Sequence, residues 1–376
     1  MRPMTLDEGL FDEVAKTRGA ALVSILLPTH VKGPEIAQDR IRLKNALSDI
    51  EGMLSEAGWR RSDREARLGK ARGLLDDDDF WAHQGRGLAL YIDGEGEIRP
   101  VALGDEPPAM CIVADSHHIR HLLVELMEES LPALVLTKGA VALYLVDSRQ
   151  ASAIDADLPS SFDDVNWFMD RERQEQRHAD SAGSAGVRHG HDPQDRMTED
   201  LHRFLRAVSQ AVTDAIGSTS PLVVLGDEPL IDDFRPIADR EVVALGLDGT
   251  GRFDSASEIG KRVRPVVADR VAAALVTNNQ AARDALGTAD TVTLFPDALY
   301  AAVSGRLSHV FVQQDASPVW GRFDAAALDA AAGSDQGVGS VDLLDRLIDA
   351  ARTTGAGIRV MEGDADGSQF VGVRRF

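Results

Sequence analysis

Three of the ten histidines lie close together in one glycine-rich segment, RHADSAGSAGVRHGHD. His178, His189 and His191 are accompanied there by Asp180 and Asp192, and all five are ligand types that suit zinc. A histidine is also a suitable general base near neutral pH. Zinc requires about three or four preorganised ligands, which a glycine-rich loop cannot hold without outside support. We therefore predict a solvated loop and no metal site.

A second group of histidines lies in the segment DSHHIRHLL. His117 and His121 are one helical turn apart, with His118 between them. The metalloprotease motif H-E-x-x-H requires a glutamate directly after its first histidine, and none follows His117. We interpret these three histidines as helix-capping and packing residues.

The most basic segment is WRRSDREARLGKARG, in which six basic residues accompany two acidic ones. Such a cluster is suited to docking an RNA phosphate backbone, with a tryptophan available for base stacking. The alternative is a solvated helix face whose charge is balanced by the acidic run 76–79. The candidates for RNA contact are Trp59, Arg60, Arg61, Arg64, Arg67, Lys70 and Arg72.

Three familiar catalytic and nucleotide-binding motifs are missing from the sequence. There is no Walker loop, no G-x-G-x-x-G dinucleotide turn and no G-x-S-x-G nucleophile elbow. The overall charge of −21, from 61 acidic and 40 basic residues, repels a phosphate backbone except where basic residues gather on one face. The sequence thus disfavours a generic nucleic-acid binder, and we expect no DNA partner and no cofactor.

The remaining composition is typical of a soluble globular protein, with 44% hydrophobic and 27% charged residues. The single cysteine, Cys111, excludes an intramolecular disulfide and a cysteine-based zinc site. No apolar run approaches the roughly 18 residues of a membrane span, and the acidic start of the chain is unlike a signal peptide. We expect a cytoplasmic protein without a membrane partner.

Short apolar runs alternate with amphipathic stretches along most of the chain, a pattern typical of α/β proteins. The length of 376 residues predicts two or three domains, at roughly 100 to 200 residues each. Strand patterns restart after Pro132 and again after Pro221. We therefore predict three consecutive α/β domains: 1–131, 132–219 with a long exposed loop, and 220–376.

The order of several segments resembles the bacterial relatives of the archaeo-eukaryotic peptide-chain release factors, and within them family three. The resemblance covers nearly the whole chain. The segments that carry it are SILLPTHVKGPEIAQDRIRLKNAL, DSHHIRHLL, GAVALYLVDSRQASAID, LYAAVSGRLSHVFVQ, VWGRFD and the ending FVGVRRF.

This resemblance implies an N-terminal domain particular to the bacterial forms, a central ribonuclease-H-like domain and a C-terminal L7Ae-like domain. It also implies that the partner is the ribosome, through ribosomal RNA or tRNA, and it makes a translational GTPase a further candidate partner.

In the release factors, a Gly-Gly-Gln loop of the central domain helps water to cleave the ester of peptidyl-tRNA. The corresponding segment here is 177–194, followed by a helix from Thr198. No two glycines are adjacent anywhere in the chain, so the catalytic glutamine of the family cannot be carried over. The candidates for this A-site loop are Arg177, His178, Gly183, Gly186, Arg188, His189, Gly190, His191 and Gln194.

We therefore predict a release-factor-like protein that binds the ribosomal A site in termination, rescue or dormancy (hibernation), without the hydrolytic motif. One alternative is a hydrolase of peptidyl-tRNA or another ester, with His189 or His191 as its general base. Another is a metal-dependent or nucleotide-binding enzyme unrelated to translation, which would need a deep pocket. The sequence assigns no catalytic residue.

Overall fold

The computed structural model describes residues 1–127, 130–137, 139–148, 150–159, 193–246, 255–324, 329–333 and 336–375. Strands and helices alternate along the chain, so the predicted α/β class is confirmed. The chain divides into two compact units, one formed by 1–128 together with 269–376 and the other by 129–268. Within the described ranges, the longest helices carry too many polar residues to cross a membrane.

The N-terminal part of the first unit contains an antiparallel sheet with the strand order β3-β2-β1-β4. Its strands are β1 Arg18–Pro28, β2 Gly87–Ile92, β3 Ile98–Leu103 and β4 Met110–Ser116. Its helices are α1 Glu8–Lys16, α2 Ile36–Glu56, α3 Arg61–Gly73, α4 Asp78–Trp81 and α5 Arg120–Met127. The turn residues DGEGE between two apolar runs predict a hairpin, and β2 and β3 do pair along their full length.

The central strand β1 is buried on both faces, which explains its nearly continuous apolar sequence. Ile25 and Leu27 pack against α2 and α3 on one face. Leu26 points to the opposite face and joins a second core with Phe11 of α1. Alternate residues of one strand thus contribute to two separate cores.

The second unit contains a five-stranded sheet with the order β7-β6-β5-β8-β9. Its strands are β5 Leu131–Leu136, β6 Val141–Val146, β7 Ala151–Ile154, β8 Leu222–Gly226 and β9 Val242–Gly246. Its helices are α6 Pro193–Ile216, α7 Glu228–Phe234 and the first part of α8 Ala256–Leu286. Strands β5, β6 and β7 form an antiparallel meander, whereas β8 and β9 run parallel to β5.

This sheet corrects the domain boundary expected between residues 219 and 220. Strand β8 pairs directly with β5, with Ala133 opposite Val223 and Leu136 opposite Gly226. A parallel pair needs a long crossover connection, and α6 lies in the one that joins this meander to β8. The strand pattern that restarts after Pro221 therefore continues the central sheet and does not begin a new one.

The C-terminal part of the first unit starts within α8, where the chain passes from one unit to the other between residues 268 and 269. Its further helices are α9 Phe295–Val303 and α10 Leu343–Thr353. Its strands are β10 Thr291–Val292, β11 Leu307–Gln313, β12 Trp320–Asp324, β13 Asp329–Ala332, β14 Val341–Asp342, β15 Gly357–Met361 and β16 Phe370–Arg374.

These strands form one mixed sheet, β10-β16-β11-β15, and one small sheet, β13-β12-β14. The last strand lies inside the mixed sheet. The alternation along it predicts that Phe370 and Val371 lie on opposite faces of this sheet. Phe370 packs into the core that contains α9 and α10, whereas Val371 packs with Ala282 of α8 on the other face. The predicted alternation of faces in β16 is therefore confirmed.

Candidate functional site

Four charged side chains meet in the interior of the first unit, and we call them with His121 the buried ionic cluster. His118 precedes α5, and Arg120 is the first residue of that helix. Asp342 is the residue before α10, and Asp345 lies in its first turn. Each of these four residues is at most 2% exposed to solvent. Charged groups are rarely buried to this extent unless they are paired.

Every polar atom of His118 has a hydrogen-bond partner, inside the cluster or beside it. Its Nδ1 lies 2.8 Å from Oδ2 of Asp345, and its Nε2 lies 2.9 Å from Nδ1 of His121. Its backbone N–H donates to Oγ of Ser24 at 3.0 Å, and its carbonyl oxygen accepts from the hydroxyl of Tyr91 at 3.0 Å. The ring of His118 is therefore held by contacts from α10 and α5, and its backbone by contacts from β1 and β2.

Arg120 supplies the second cation of the cluster, because it donates to Oδ2 of Asp342 at 2.7 Å. The other carboxylate oxygen of Asp342 accepts from the backbone N–H of Leu344 at 3.0 Å and of Val319 at 3.2 Å. Asp342 thus caps the start of α10 and neutralises a buried guanidinium at the same time.

The pKa values of the two histidines shift in opposite directions. Burial disfavours protonation of His118, but the carboxylates of Asp345 and Asp342 outweigh it, and the pKa of His118 is raised. Burial, together with the neighbouring charge of His118, lowers the pKa of His121 to about 4. When His118 is protonated it donates from both ring nitrogens, and a neutral His121 then accepts at Nδ1.

The donor set of this cluster includes a possible metal triad, since ligand atoms of His118, Asp342 and Asp345 lie within 4.8 Å of one another. The guanidinium of Arg120 argues against a metal there, because it already contacts both carboxylates. This guanidinium contacts Asp342 at 2.7 Å and lies 3.6 Å from Asp345 at its Nε. The guanidinium of Arg120, together with His118 when it is protonated, already balances the charge of the two carboxylates. The cluster is therefore a structural ionic interlock between the start of α5 and the start of α10.

His117 is a packing residue, as the sequence predicts. Its Nδ1 lies 3.3 Å from Oγ of Ser24, and its ring contacts Tyr91 edge-on at 5.1 Å between centroids. Burial lowers its pKa to about 3, so it is neutral in the folded protein. The packing role also holds for His118 and His121, but the two carboxylates that pair with His118, which lie more than 200 residues away, were missed. Asp342 could have been found from sequence as the N-cap of the apolar run that forms α10.

The basic segment 59–72 forms α3 and the residues before it, and most of its charges have acidic partners. Arg61 pairs with Glu65 of its own helix. Lys70 pairs with Glu97, and both Arg64 and Arg72 approach Glu51. The two acidic partners outside the segment come from α2 and from the hairpin between β2 and β3. The local charge is consequently much closer to neutral than the sequence count suggests.

Arg67 lies in the protein interior, which contradicts its predicted role in RNA contact. It is only 6% exposed, and its guanidinium donates to the carbonyl oxygens of Ala20, Ala21 and Gly94 at 2.5–3.2 Å. Its Cζ also lies 4.8 Å from the ring centroid of Trp59. Ala21 has a positive φ of 54° within the irregular start of β1, so Arg67 stabilises an unusual backbone conformation.

The expected A-site loop lies almost wholly outside the described residues. Only its last member, Gln194, has a described backbone, and it lies in α6. This helix begins at Pro193, which corrects the start expected at Thr198. Proline is favoured in the first turn of a helix, where its missing N–H has no intrahelical partner to lose. The roles of the other loop candidates stay predictions.

An open cleft of about 490 Å³ lies between the ends of α1 and α10. Asp12, Lys16, Asp349 and Arg352 line it together with the turn at Gly355. The charged side chains are already engaged: Arg352 and Lys16 both pair with Asp12. The cleft is therefore unlike the deep, mainly apolar pockets that hold nucleotides or cofactors.

The family comparison adds an independent finding. Residues 133–306 match the model of bacterial archaeo-eukaryotic release factor family 3. This is the family that the sequence resembles. The family 3 match begins in β5 and ends after α9. It includes the five-stranded sheet of the second unit, apart from the first two residues of β5. No curated protein matches the sequence.

Several solved structures share a weak overall likeness with the chain. One is archaeal Pelota in a ribosome-bound assembly with ABCE1, at 11% identity, a TM-score of 0.40, and coverage of 80% of this chain and 74% of Pelota. Another is Dom34 of S. cerevisiae, described as a translation termination-like factor that interacts with Hbs1, at 13% identity, a TM-score of 0.34, and coverage of 78% and 75%. A third is the archaeal termination factor aRF1, at 14% identity, a TM-score of 0.23, and coverage of 99% of each chain.

Proposed function

We propose that this protein is a release-factor-like translation factor that binds the ribosomal A site. The observation that carries the proposal is the match of residues 133–306 to a family of release-factor relatives. That match includes the segment 177–194, which corresponds by position to the loop that release factors extend towards the peptidyl-transferase centre.

Residues on both sides of this segment pack into one core of the second unit. The chain leaves the sheet after β7, and it re-enters described structure at α6. Ile154 and Leu158 on one side, and Phe204 and Leu205 on the other, pack around the same hydrophobic core. Both ends of the connecting segment are therefore anchored to one sheet and one helix, which is what a factor needs to present a segment to a partner in a fixed place.

The chemistry of the segment favours binding over hydrolysis. A Gly-Gly-Gln loop works because adjacent glycines let the backbone approach the ester and a backbone amide stabilises the oxyanion. Here Gly183, Gly186 and Gly190 are separated, and Gln194 lies in a helix. We therefore propose occupancy of the A site in rescue or dormancy, without cleavage of peptidyl-tRNA. The ribonuclease-H-like and L7Ae-like descriptions of the second unit and the C-terminal part, and a delivering GTPase, belong to the same proposal.

Ribosome co-sedimentation followed by a release assay tests this function. Wild-type protein is expected to sediment with ribosomes, and an excess of a tRNA bound in the A site should displace it. It should release no labelled peptide from peptidyl-tRNA. The matched variants are His189→Ala, His191→Ala and Gln194→Ala, which should retain ribosome binding.

Two results would contradict the proposal. Failure to sediment with ribosomes, under salt conditions in which a known A-site factor binds, would exclude the partner. Peptide release that collapses in any one of the three variants would replace the binder with an esterase that uses that side chain.

A further inference from the structure

His30 lies in the connection between β1 and α2, where a buried carboxylate holds its ring. Its Nδ1 lies 2.9 Å from Oδ1 and 3.2 Å from Oδ2 of Asp39, which is in the first turn of α2. Asp39 is only 1% exposed, whereas the side chain of His30 is 39% exposed. The pair therefore joins a carboxylate of the interior to an imidazole that solvent can reach.

The carboxylate of Asp39 is fixed by further donors besides this ring. Its Oδ2 accepts from the backbone N–H of His30 at 2.8 Å, and its Oδ1 accepts from Nη1 of Arg42 at 2.8 Å. Arg42 also donates to the carbonyl oxygen of Pro28, the last residue of β1, at 3.3 Å. The guanidinium thus compensates the buried charge of Asp39 and ties it to the end of the strand.

The backbone that leads into His30 is also anchored. Thr29 donates from its N–H to the carbonyl oxygen of Arg86 at 2.8 Å, and from Oγ1 to that of Gly85 at 3.0 Å. Gly85 itself lies in a packed turn, because a Cβ there would be 2.1 Å from the carbonyl oxygen of Leu103. The histidine is therefore positioned from both its backbone and its ring.

These contacts determine which ring nitrogen of His30 can react. An ionised carboxylate only accepts hydrogen bonds, so Nδ1 carries a proton, and in the neutral ring Nε2 carries the lone pair. The two nitrogens point to opposite sides of the ring, so Nε2 faces away from Asp39. Among the residues that the structure describes, Nε2 has no hydrogen-bond partner. An oriented imidazole nitrogen of this kind is suited to act as a nucleophile.

Two other histidines show what distinguishes this arrangement. His118 has the same contact with a carboxylate, but it is 1% exposed and its Nε2 is occupied by His121. His83 is 42% exposed, but its Nδ1 lies 2.7 Å from the backbone carbonyl oxygen of Asp79 and 3.4 Å from the exposed carboxylate of that residue. Of these three histidines, only His30 combines a buried carboxylate partner with a ring that solvent reaches.

A phosphoryl group is the electrophile that fits this nitrogen and its surroundings. After attack by Nε2 the ring keeps the proton on Nδ1 and becomes positively charged, and the carboxylate of Asp39 is in place to balance that charge. Arg42 cancels the charge of Asp39 before the reaction, so the pair does not repel an anionic donor. Nε and Nη2 of Arg42 have no partner in the described part of the chain, and phosphoryl oxygens are acceptors that a guanidinium matches.

We propose that Nε2 of His30 accepts a phosphoryl group from a phosphoramidate donor. The bond from Nε2 to phosphorus forms while the P–N bond of the zwitterionic donor breaks. Neutral ammonia leaves with the electron pair of that bond, and the positive charge passes to the imidazole ring beside Asp39. Arg42 is a positioning residue, because it acts on the ring through Asp39. The reaction needs no ribosome, so it is independent of the proposed A-site function.

The test measures phosphorylation of the full chain by potassium phosphoramidate, with the modified histidines located by tandem mass spectrometry at alkaline pH. His83 is the matched control within the same molecule, because its exposure is similar to that of His30. His30 should be modified at least about tenfold faster than His83. Asp39→Asn should slow modification of His30 about tenfold and leave the rate at His83 unchanged.

His30→Asn separates this chemistry from a purely structural role. The asparagine keeps an N–H donor near the position of Nδ1 but has no counterpart of Nε2, so the variant should melt like wild type while phosphate at residue 30 is lost. Equal rates at His30 and His83 in wild type would overturn the proposal, even if Asp39→Asn does not fold. An unchanged His30 rate in folded Asp39→Asn would also overturn it. Modification of His30 by p-nitrophenyl acetate, with none by phosphoramidate, would replace the phosphoryl acceptor with an acyl acceptor.

Discussion

Nδ1 of His118 lies 2.8 Å from Oδ2 of Asp345, although 227 positions separate the two residues in the chain. The pair joins the end of the N-terminal sheet to the first turn of α10 within one compact unit. Both side chains are removed from water, so each is stable as an ion only while the other is present. This mutual dependence makes the cluster sensitive both to substitution and to pH.

Loss of the carboxylate in this pair is expected to destabilise the first unit strongly. Asp345→Asn would leave the charge of His118 without its closest partner, at a cost of roughly 3–5 kcal/mol in the free energy of unfolding. Urea unfolding measures the change. The control is Asp232→Asn on the exposed side of α7, which should alter stability by less than about 0.5 kcal/mol. Equal effects of the two substitutions would contradict the ionic interlock.

Deprotonation of His118 should make the fold less stable as the pH rises above about 6.5. Its pKa is raised in the folded protein, so its contribution is complete below the unfolded value of about 6.5. That contribution is lost as the pH rises through the folded pKa, at no more than about 1.4 kcal/mol per pH unit. Urea unfolding across this range should show the decline in wild type and its absence in His118→Gln. Parallel curves would argue against a charged His118.

His121 should have the opposite effect, so that the fold becomes more stable as the pH rises between about 4 and 6.5. Its pKa is lowered to about 4 in the folded protein, so the unfolded chain binds a proton that the native state does not between about pH 4 and 6.5. Stability should therefore rise with pH across that window. His117 contributes a rise in the same direction, because its pKa is also lowered. His121→Gln should remove part of the rise, and an unaltered slope would show that His121 is not buried as a neutral ring.

The end of β8 should not tolerate a side chain at Gly226. A Cβ there would lie 2.1 Å from the carbonyl oxygen of Leu136 in the neighbouring strand. We expect Gly226→Ala to lower the free energy of unfolding of the second unit by at least about 2 kcal/mol. Its strand neighbour Gly246 lies opposite it in the sheet and has open space around the same position. Gly246→Ala is the control and should be nearly neutral, and an equal loss in both variants would contradict the pairing of β5 with β8.

Substitution of Arg67 should destabilise the protein more than substitution of Arg61 in the same segment. Arg67→Ala removes three hydrogen bonds to buried or half-buried carbonyls and should cost roughly 2–4 kcal/mol in unfolding free energy. Arg61→Ala removes an exposed pair with Glu65 and should cost less than about 1 kcal/mol. In ribosome co-sedimentation, Arg61→Ala should change binding by less than about twofold. A tenfold loss of ribosome binding in that variant would instead support RNA contact by α3.

The sequence by itself determined the local elements of this protein. Apolar periodicity predicted the α/β class, the hairpin of β2 and β3, and the alternating faces of β16. These patterns depend on neighbours along the chain. The order of short segments also indicated the release-factor relatives whose family model matches residues 133–306. The packing role of His117 was also predicted, because its segment lacks the glutamate of the metalloprotease motif.

Only the tertiary structure decided which distant segments meet. The strand after Pro221 looked like the start of a domain, since nothing local distinguishes a new sheet from the return of a crossover to an old one. Arg67 and Arg306 are the same residue type in exposed-looking sequence contexts, yet one is buried against backbone carbonyls and the other lies on the surface over Tyr300. The partners of His118 and Arg120 lie more than 200 residues away, and burial by the whole fold is what turns those contacts into an ionic interlock.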